Sequence, residues 1–225
     1  MSKKFAELKS QATETHMPLE AAIEKLQTWN RSTFDESVDV CFALGLDPKK
    51  SEQNIKASFP LPHGLGKNVK VAVFAIGDAA TAATKAGADR VGFEDLAEDM
   101  KKGELNYDVV IATQESMPLV GRLGQVLGPR GLMPNLKLGT VTTNPAEAVK
   151  MAKAGQFKIK NDKCGLVHGS VGRASFAVDS LAENIRALTQ EVKRLKPAAS
   201  KGIYLKGLVL SLTMSPSIRV DINKL

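Results

Sequence analysis

The segment from Val120 to Thr140 reads VGRLGQVLGPRGLMPNLKLGT and holds five glycines, two prolines and three cations, Arg122, Arg130 and Lys137, without one acidic residue. Glycine at this density lets a backbone take positive φ and approach a partner closely. Pro129 and Pro134 fix φ and argue against a floppy linker. Cations on a stiff, carboxylate-free loop suit a partner rich in phosphate. The same features also suit a long structural turn that happens to be basic, and spacing alone leaves both readings open.

Working outward, the sequence around this loop has a grammar of its own. Val69–Ile76 is a nearly continuous apolar run ending at Gly77-Asp78, and Tyr107–Ala112 is a second one. Strands apolar on both faces belong in a parallel sheet between helices. Between them, Ala79–Lys85 and Phe93–Lys102 are helix-prone and stop at Gly87 and Gly103, which predicts a β-α-α-β order in a small three-layer unit. Pro145–Ala154 is helical and Gly155 closes it.

On either side the pattern changes. Leu19, Ala22, Ile23 and Leu26 lie on one helical stripe behind Pro18. Val38, Val40, Phe42 and Leu44 then alternate at period two, and an extended segment near Asn54–Phe59 leads to Pro60-Leu-Pro-His-Gly-Leu-Gly66, a boundary. Alternation returns after Gly155, where Phe157 and Ile159 interleave with Lys158 and Lys160, and Asn161–Gly165 turns into Leu166–His168. Ser180 with Glu183 predicts a capping box for a helix carrying Leu181, Ile185, Leu188 and Val192, ended by Lys193-Arg194-Leu195-Lys196-Pro197. In the last strand Leu208, Leu210, Leu212 and Met214 alternate with Val209, Ser211 and Thr213. The fold class is therefore α/β (α+β) with two domains. An antiparallel α/β sandwich is built from residues 1–68 and 157–225, and a three-layer, Rossmann-like α/β domain, 69–156, is inserted into it.

The chain has 225 residues, ample for a buried core, and its 43% hydrophobic and 24% charged residues are those of an ordinary globular protein. Its net charge of +7 is unevenly spread: Gly121–Arg173 holds nine Lys or Arg against two acids, whereas Asp78–Asp108 holds eight acids against four bases. That patterning points to an anionic partner. Two distant cysteines and three scattered histidines speak against a disulfide framework or a metal site. Cys41, inside an apolar run, reads as a buried thiol. The opening MSKKFAELKSQATETH has no apolar core of signal-peptide length, and no apolar run approaches the length of a membrane span, about 18 residues, which predicts a cytoplasmic protein without a membrane partner.

The glycine-rich stretch closely resembles the signature of the large-subunit ribosomal protein L-one family, the bacterial type of the protein of the mobile ribosomal stalk. Phe34-Asp35-Glu36-Ser37-Val38, Leu44-Gly45-Leu46-Asp47, Ser51-Glu52-Gln53-Asn54, Leu61-Pro62-His63-Gly64, Asn161-Asp162-Lys163, Gly172-Arg173-Ala174-Ser175-Phe176 and Thr213-Met214 extend the likeness, in the family's order, over residues 15–222. The resemblance implies an outer domain holding both termini, an inner domain, and a hinge between them. It implies RNA contacts on the outer domain around Phe34, the Asn161-Asp162-Lys163 turn and Thr213-Met214, with Thr213 bonding the RNA backbone and Met214 packing on it. Phe34 has a second reading as plain core. The partners implied are stalk-region rRNA, exit-site tRNA and the protein's own operon mRNA, bound by a chain that is a monomer when free and otherwise part of the ribosome. Three positions depart from the family: Thr33 where Lys is common, Leu136 where Pro is usual, and Ser215 where Gly is common. At Ser215 an approach needing positive φ would be strained.

The residues themselves support a surface of this kind. If the strands bearing Lys158, Lys160, Ser211 and Thr213 share a sheet covered on one side, the open face carries ammonium and hydroxyl groups. Such a face can bond phosphates and ribose hydroxyls, and without the family resemblance it suits an ordinary solvated sheet face equally well. Aromatic residues at 5% disfavour a base-stacking module. The RNA-binding set is Phe34, Lys158, Lys160, Asn161, Asp162, Lys163, Arg173, Ser175, Ser211, Thr213, Met214 and Ser215, with Arg122, Arg130 and Lys137 for tRNA or a secondary RNA. The competing class is a nucleotide-dependent enzyme, given the α/β grammar and the glycine loop. Gly77-Asp78 is not GxGxxG, no GxxxxGK[ST] occurs, and no catalytic cluster of His, Cys or carboxylates is present. The reading is of a protein that is not an enzyme and uses no cofactor or metal.

Overall fold

A computed structural model describes residues 7–8, 16–30, 32–103 and 105–222. Its contacts fall into two compact units, residues 1–66 with 157–225, and residues 67–156.

The first unit is organised by β1 (Ser37–Leu44), whose alternation buries Val38, Val40, Phe42 and Leu44. It pairs antiparallel with β7 (Leu166–Arg173) on one side and β8 (Leu205–Leu212) on the other, and β9 (Ile218–Val220) adds antiparallel to β8. The resulting sheet order is β7-β1-β8-β9. One face is covered by α1 (Leu19–Thr28) and α7 (Val178–Arg194), which place Leu19, Ile23 and Leu26 with Leu181, Ile185, Leu188 and Val192 in the same core. The strand β2 (Lys56–Pro60) pairs with β6 (Gln156–Lys160) in a separate two-stranded sheet.

The second unit is a three-stranded sheet of order β4-β3-β5, parallel throughout, built from β3 (Val71–Phe74), β4 (Arg90–Gly92) and β5 (Val109–Ala112). Successive side chains of β3 serve opposite cores. Ala72 and Phe74 pack with α3 (Glu94–Lys101), α4 (Met117–Arg122) and α5 (Gly124–Leu127). Val71 and Val73 pack with α2 (Asp78–Lys85) and α6 (Pro145–Ala154). A period of two on a doubly covered sheet demands this arrangement.

Several expectations are corrected. The second unit runs β-α-β-α-β, because Arg90–Gly92 forms a short parallel edge strand that three residues without alternation could not announce. The helix α7 begins at Val178 with no side-chain cap, so Ser180 lies inside its first turn. Leu181 N–H already bonds Ala177 O at 3.1 Å, and the apolar stripe, not a hydroxyl, sets the start. The strand β7 extends to Arg173, and β9 joins as an unforeseen edge. Most of all, a third of the glycine-rich stretch is α-helical. Val120, Leu123 and Leu127 sit at spacings of three and four, are buried, and draw the chain into α4 and α5. Only Gly131 (φ 68°) and Gly139 (φ 67°) of its five glycines use positive φ.

Tyr204 is buried against the outer core, and its hydroxyl has no hydrogen-bond partner among the described residues. Burial pushes the phenol up to about 12 from its ordinary 10. Because the folded state holds this proton more tightly than the unfolded chain does, its contribution is complete below pH 10 and is lost as pH rises from 10 towards 12. Tyr204→Phe is expected to raise stability by about 1 kcal/mol and to flatten that alkaline decline. Denaturant midpoints of both proteins across this range provide the check.

Candidate nucleic-acid interface

The uncovered face of the four-stranded sheet is polar. Asp39 on β1 stands between Ser170 on β7 and Ser211 on β8, and the next row places His168, Cys41, Val209 and Arg219 side by side. Desolvation holds the Asp39 carboxyl above its ordinary range, with Arg173 opposing the shift. Cys41 is half-buried at this face, not deep in the core as its apolar neighbours suggested, and burial with the nearby Asp162 charge pushes its thiol up.

At the Ser37 end of β1 the chain builds a small bracket. Glu36 is 1% exposed. Its carboxyl accepts the Met214 N–H at 2.8 Å and a hydrogen bond from the Ser32 hydroxyl. Asp35 accepts the Ser175 N–H at 3.2 Å and the Ser175 hydroxyl at 2.8 Å. Arg173 Nη1 donates to Asp35 O and to Ser37 Oγ, each at 3.1 Å. Thr213 Oγ1 accepts the Ser37 N–H at 3.2 Å. The bracket ties three segments distant in sequence into one surface and leaves two large apolar side chains outside it, Phe34 at 51% and Met214 at 61% exposure. Phe34 is therefore not core. Met214 does not continue the apolar stripe of β8, because the strand ends at Leu212 and the chain turns there.

Ser215 closes that turn. Its hydroxyl accepts the Leu212 N–H at 2.9 Å and donates to Pro216 O at 3.0 Å. No residue other than glycine has positive φ among the described residues, so the strain expected at Ser215 is absent.

The remaining basic residues lie elsewhere. Lys158 and Lys160 are on β6, in the two-stranded sheet and not beside Ser211 and Thr213 as expected. Alternation fixed their outward face but could not fix which sheet received the strand. Asn161 is 9% exposed, and its amide is committed internally: Oδ1 accepts the Ile55 N–H at 2.8 Å, and Nδ2 donates to Asn54 Oδ1 at 3.0 Å. Asp162 Oδ1 accepts the N–H groups of Cys164 and Leu166, both at 2.8 Å, and these bonds hold its carboxyl below the ordinary range. The two side chains shape a turn that presents Lys163 to solvent. Lys56, Lys158, Lys160, Lys163 and His168 line a depression of about 630 Å³ beside Pro48.

In the inserted unit, Arg122 at the end of α4 and Arg130 in the following turn are exposed. Lys137 lies in the short turn Leu136–Leu138, with its side chain outside the described set. The turn is closed by Thr140, whose Oγ1 accepts the Asn135 N–H at 2.8 Å. Among the described residues no cluster of His, Cys, Asp or Glu could hold a metal, and no helix is long and apolar enough to cross a membrane.

The sequence model of the ribosomal protein L1p/L10e family matches residues 26–216, taking in all three segments of the bracket and the whole inserted unit. The chain belongs to this family. It is similar to the large ribosomal subunit protein uL1 of Laribacter hongkongensis, at 54% identity over 222 residues, 98% of this chain and 95% of that protein. It is similar also to uL1 of Pseudomonas putida, at 55% identity over 92% of this chain and 89% of that protein. With uL1 of Pseudomonas savastanoi the identity is 58% over 84% of this chain and 81% of that protein. Membership of a ribosomal-protein family makes this a non-enzymatic chain.

Glu36 is the residue that sequence reasoning passed over. It stood within the quoted Phe34–Val38 segment, yet nothing in the spacing marked it, and not Asp35, as the buried acid. Glu36→Ala is expected to cost about 2–3 kcal/mol, since it strips the acceptor from the Met214 N–H. Chemical denaturation measures the cost, and faster hydrogen exchange at Met214 locates it.

Proposed function

We propose that this chain is a constituent of the large ribosomal subunit and binds stalk-region rRNA through its outer unit. The observation that carries this reading is the pair Phe34 and Met214, two large apolar side chains held out in solvent by a bracket of buried and charge-assisted bonds. A single exposed apolar side chain is ordinary on a protein surface, but two of them flanking one hydrogen-bonded bracket of hydroxyls and a guanidinium suit a surface that meets a partner. Thr213, Ser175 and Arg173 beside them, Ser211 on the open sheet face, and Lys158, Lys160 and Lys163 farther along supply hydroxyl and ammonium groups for phosphate and ribose. In this reading Asn161, Asp162 and Ser215 act by shaping turns.

The same surface binds the operon mRNA when that RNA presents the rRNA's shape, which makes the protein a repressor of its own translation. Arg122, Arg130 and Lys137 of the inserted unit contact exit-site tRNA and assist release of the deacylated molecule. The free protein is a monomer, and its working place is the ribosome in the cytoplasm. No cofactor takes part.

Titration against a stalk-region rRNA fragment and a scrambled hairpin, across a salt series, tests the reading. With about 4–6 phosphate contacts the log–log salt slope is expected to be roughly −3 to −5, and the stalk fragment to bind tighter by orders of magnitude. Thr213→Val is expected to weaken stalk binding by about tenfold, near 1.4 kcal/mol. Equal, weak binding of the two RNAs would overturn the reading.

A further inference from the structure

The far end of β1 carries a second built surface. Gly45, just past Leu44, lies so close to the loop before β8 that a Cβ there would meet Ile203 O at 2.2 Å and Lys206 Cε at 3.3 Å. Its N–H bonds Tyr204 O at 2.6 Å, and its carbonyl accepts the Ser200 hydroxyl at 3.2 Å. Gln53, farther along the loop after β1, adds a brace, accepting the Asp47 N–H at 2.7 Å and donating to Ala199 O at 3.2 Å. These bonds weld the loop after β1 to the loop before β8. The welded platform displays Lys49, Lys50, Lys201 and Lys206, all exposed, around Ile203 at 76% exposure. None of the four lysines makes an ion pair among the described residues. The acids on the same platform are Asp47, which caps the Lys49 N–H, and Glu52. Pro48 joins the platform to the lysine-lined depression that holds Lys56 and His168.

We propose that this platform is a second, sequence-blind RNA contact that grips the phosphate backbone of the RNA whose specific contact is the Phe34–Met214 bracket. The proposal rests on the RNA-binding reading above. Seven residue steps of about 3.4 Å put the two ends of β1 about 24 Å apart, so an RNA touching both spans several phosphates. The two ends differ in chemistry. The bracket offers apolar side chains and hydroxyls in fixed positions, which discriminate shape. The platform offers mobile ammonium groups on long stems, which bind charge without reading bases. Lys56 and His168 extend it toward Lys158, Lys160 and Lys163, and together they form a track that follows a backbone.

The test compares the full chain with its Lys49→Gln/Lys50→Gln/Lys201→Gln/Lys206→Gln variant, all surface changes, after thermal melting has shown both folded. Each binds the stalk fragment and the scrambled hairpin across the salt series. The variant is expected to flatten the slope by about 2–3 for both RNAs and to leave the ratio of their affinities unchanged. Thr213→Val is expected to do the opposite, lowering the ratio with little change in slope. An unchanged slope in the quadruple variant overturns the platform, and so does a collapse of the ratio, which would make it a specificity site. If the wild-type protein does not prefer the stalk fragment but the quadruple variant still flattens the slope, the bracket reading falls and the platform stands. Poly-glutamate serves as the probe for an acidic protein partner, and tighter binding of it than of the scrambled hairpin overturns the assignment to RNA.

Discussion

The register of β1 between β7 and β8 is the constraint on which the outer unit depends. Val38, Val40, Phe42 and Leu44 face the helices only if Val40 stands opposite Gly169 and Leu210. A slip of one residue would turn that apolar row to solvent and bury Asp39 and Cys41 instead. The same register sets the polar face, because it brings Ser170, Asp39 and Ser211 into one row. It also carries Glu36, one residue before the strand, to the Met214 N–H. Surface and core are thus two consequences of one alignment.

Neighbouring segments then inherit fixed positions. Gly169 and Gly172 on β7 are tight because Phe157, Phe176 and Leu181 occupy the space that a Cβ would need. Asn184, fully buried on α7, accepts the His63 N–H at 3.0 Å and donates to Gly64 O and Val171 O. One amide thereby pins the segment leaving the outer unit to the sheet and to the helix. Gly66, with φ at 65° and the Phe176 ring 2.8 Å from a notional Cβ, can be no other residue without displacement.

Much of this was legible in the residues, and the limits have physical causes. Strong periodicity announced β1, α1, β6 and α7, since a half-buried strand and an amphipathic helix leave different spacings. Edge strands as short as Arg90–Gly92 and Ile218–Val220 leave no period to read. Sheet membership was invisible for Lys158 and Lys160, because alternation reports which side a residue faces but not which strand lies beside it. The glycine-rich stretch misled because Gly121, Gly124 and Gly128 were read for the conformations they permit. The buried Val120, Leu123 and Leu127 decided the outcome, and a helix tolerates glycine at a cost of about 1 kcal/mol each when such a stripe is present. For the interface, exposed Phe34 and Met214 were named from resemblance, whereas the carboxyl that presents Met214 could be found only from tertiary contacts.

The discontinuity of the outer unit has a temporal side. During synthesis β1 emerges with its apolar row unpartnered, and β7 follows only after about 120 further residues, roughly 6–24 s at about 5–20 residues per second. The inserted unit is continuous in sequence and can close within that interval. Phe34 waits longer still, since Glu36 has no Met214 N–H to accept until residue 214 has been made. A nascent chain therefore has no bracket until residue 214 has been made, and the surface then comes into being in nearly one step.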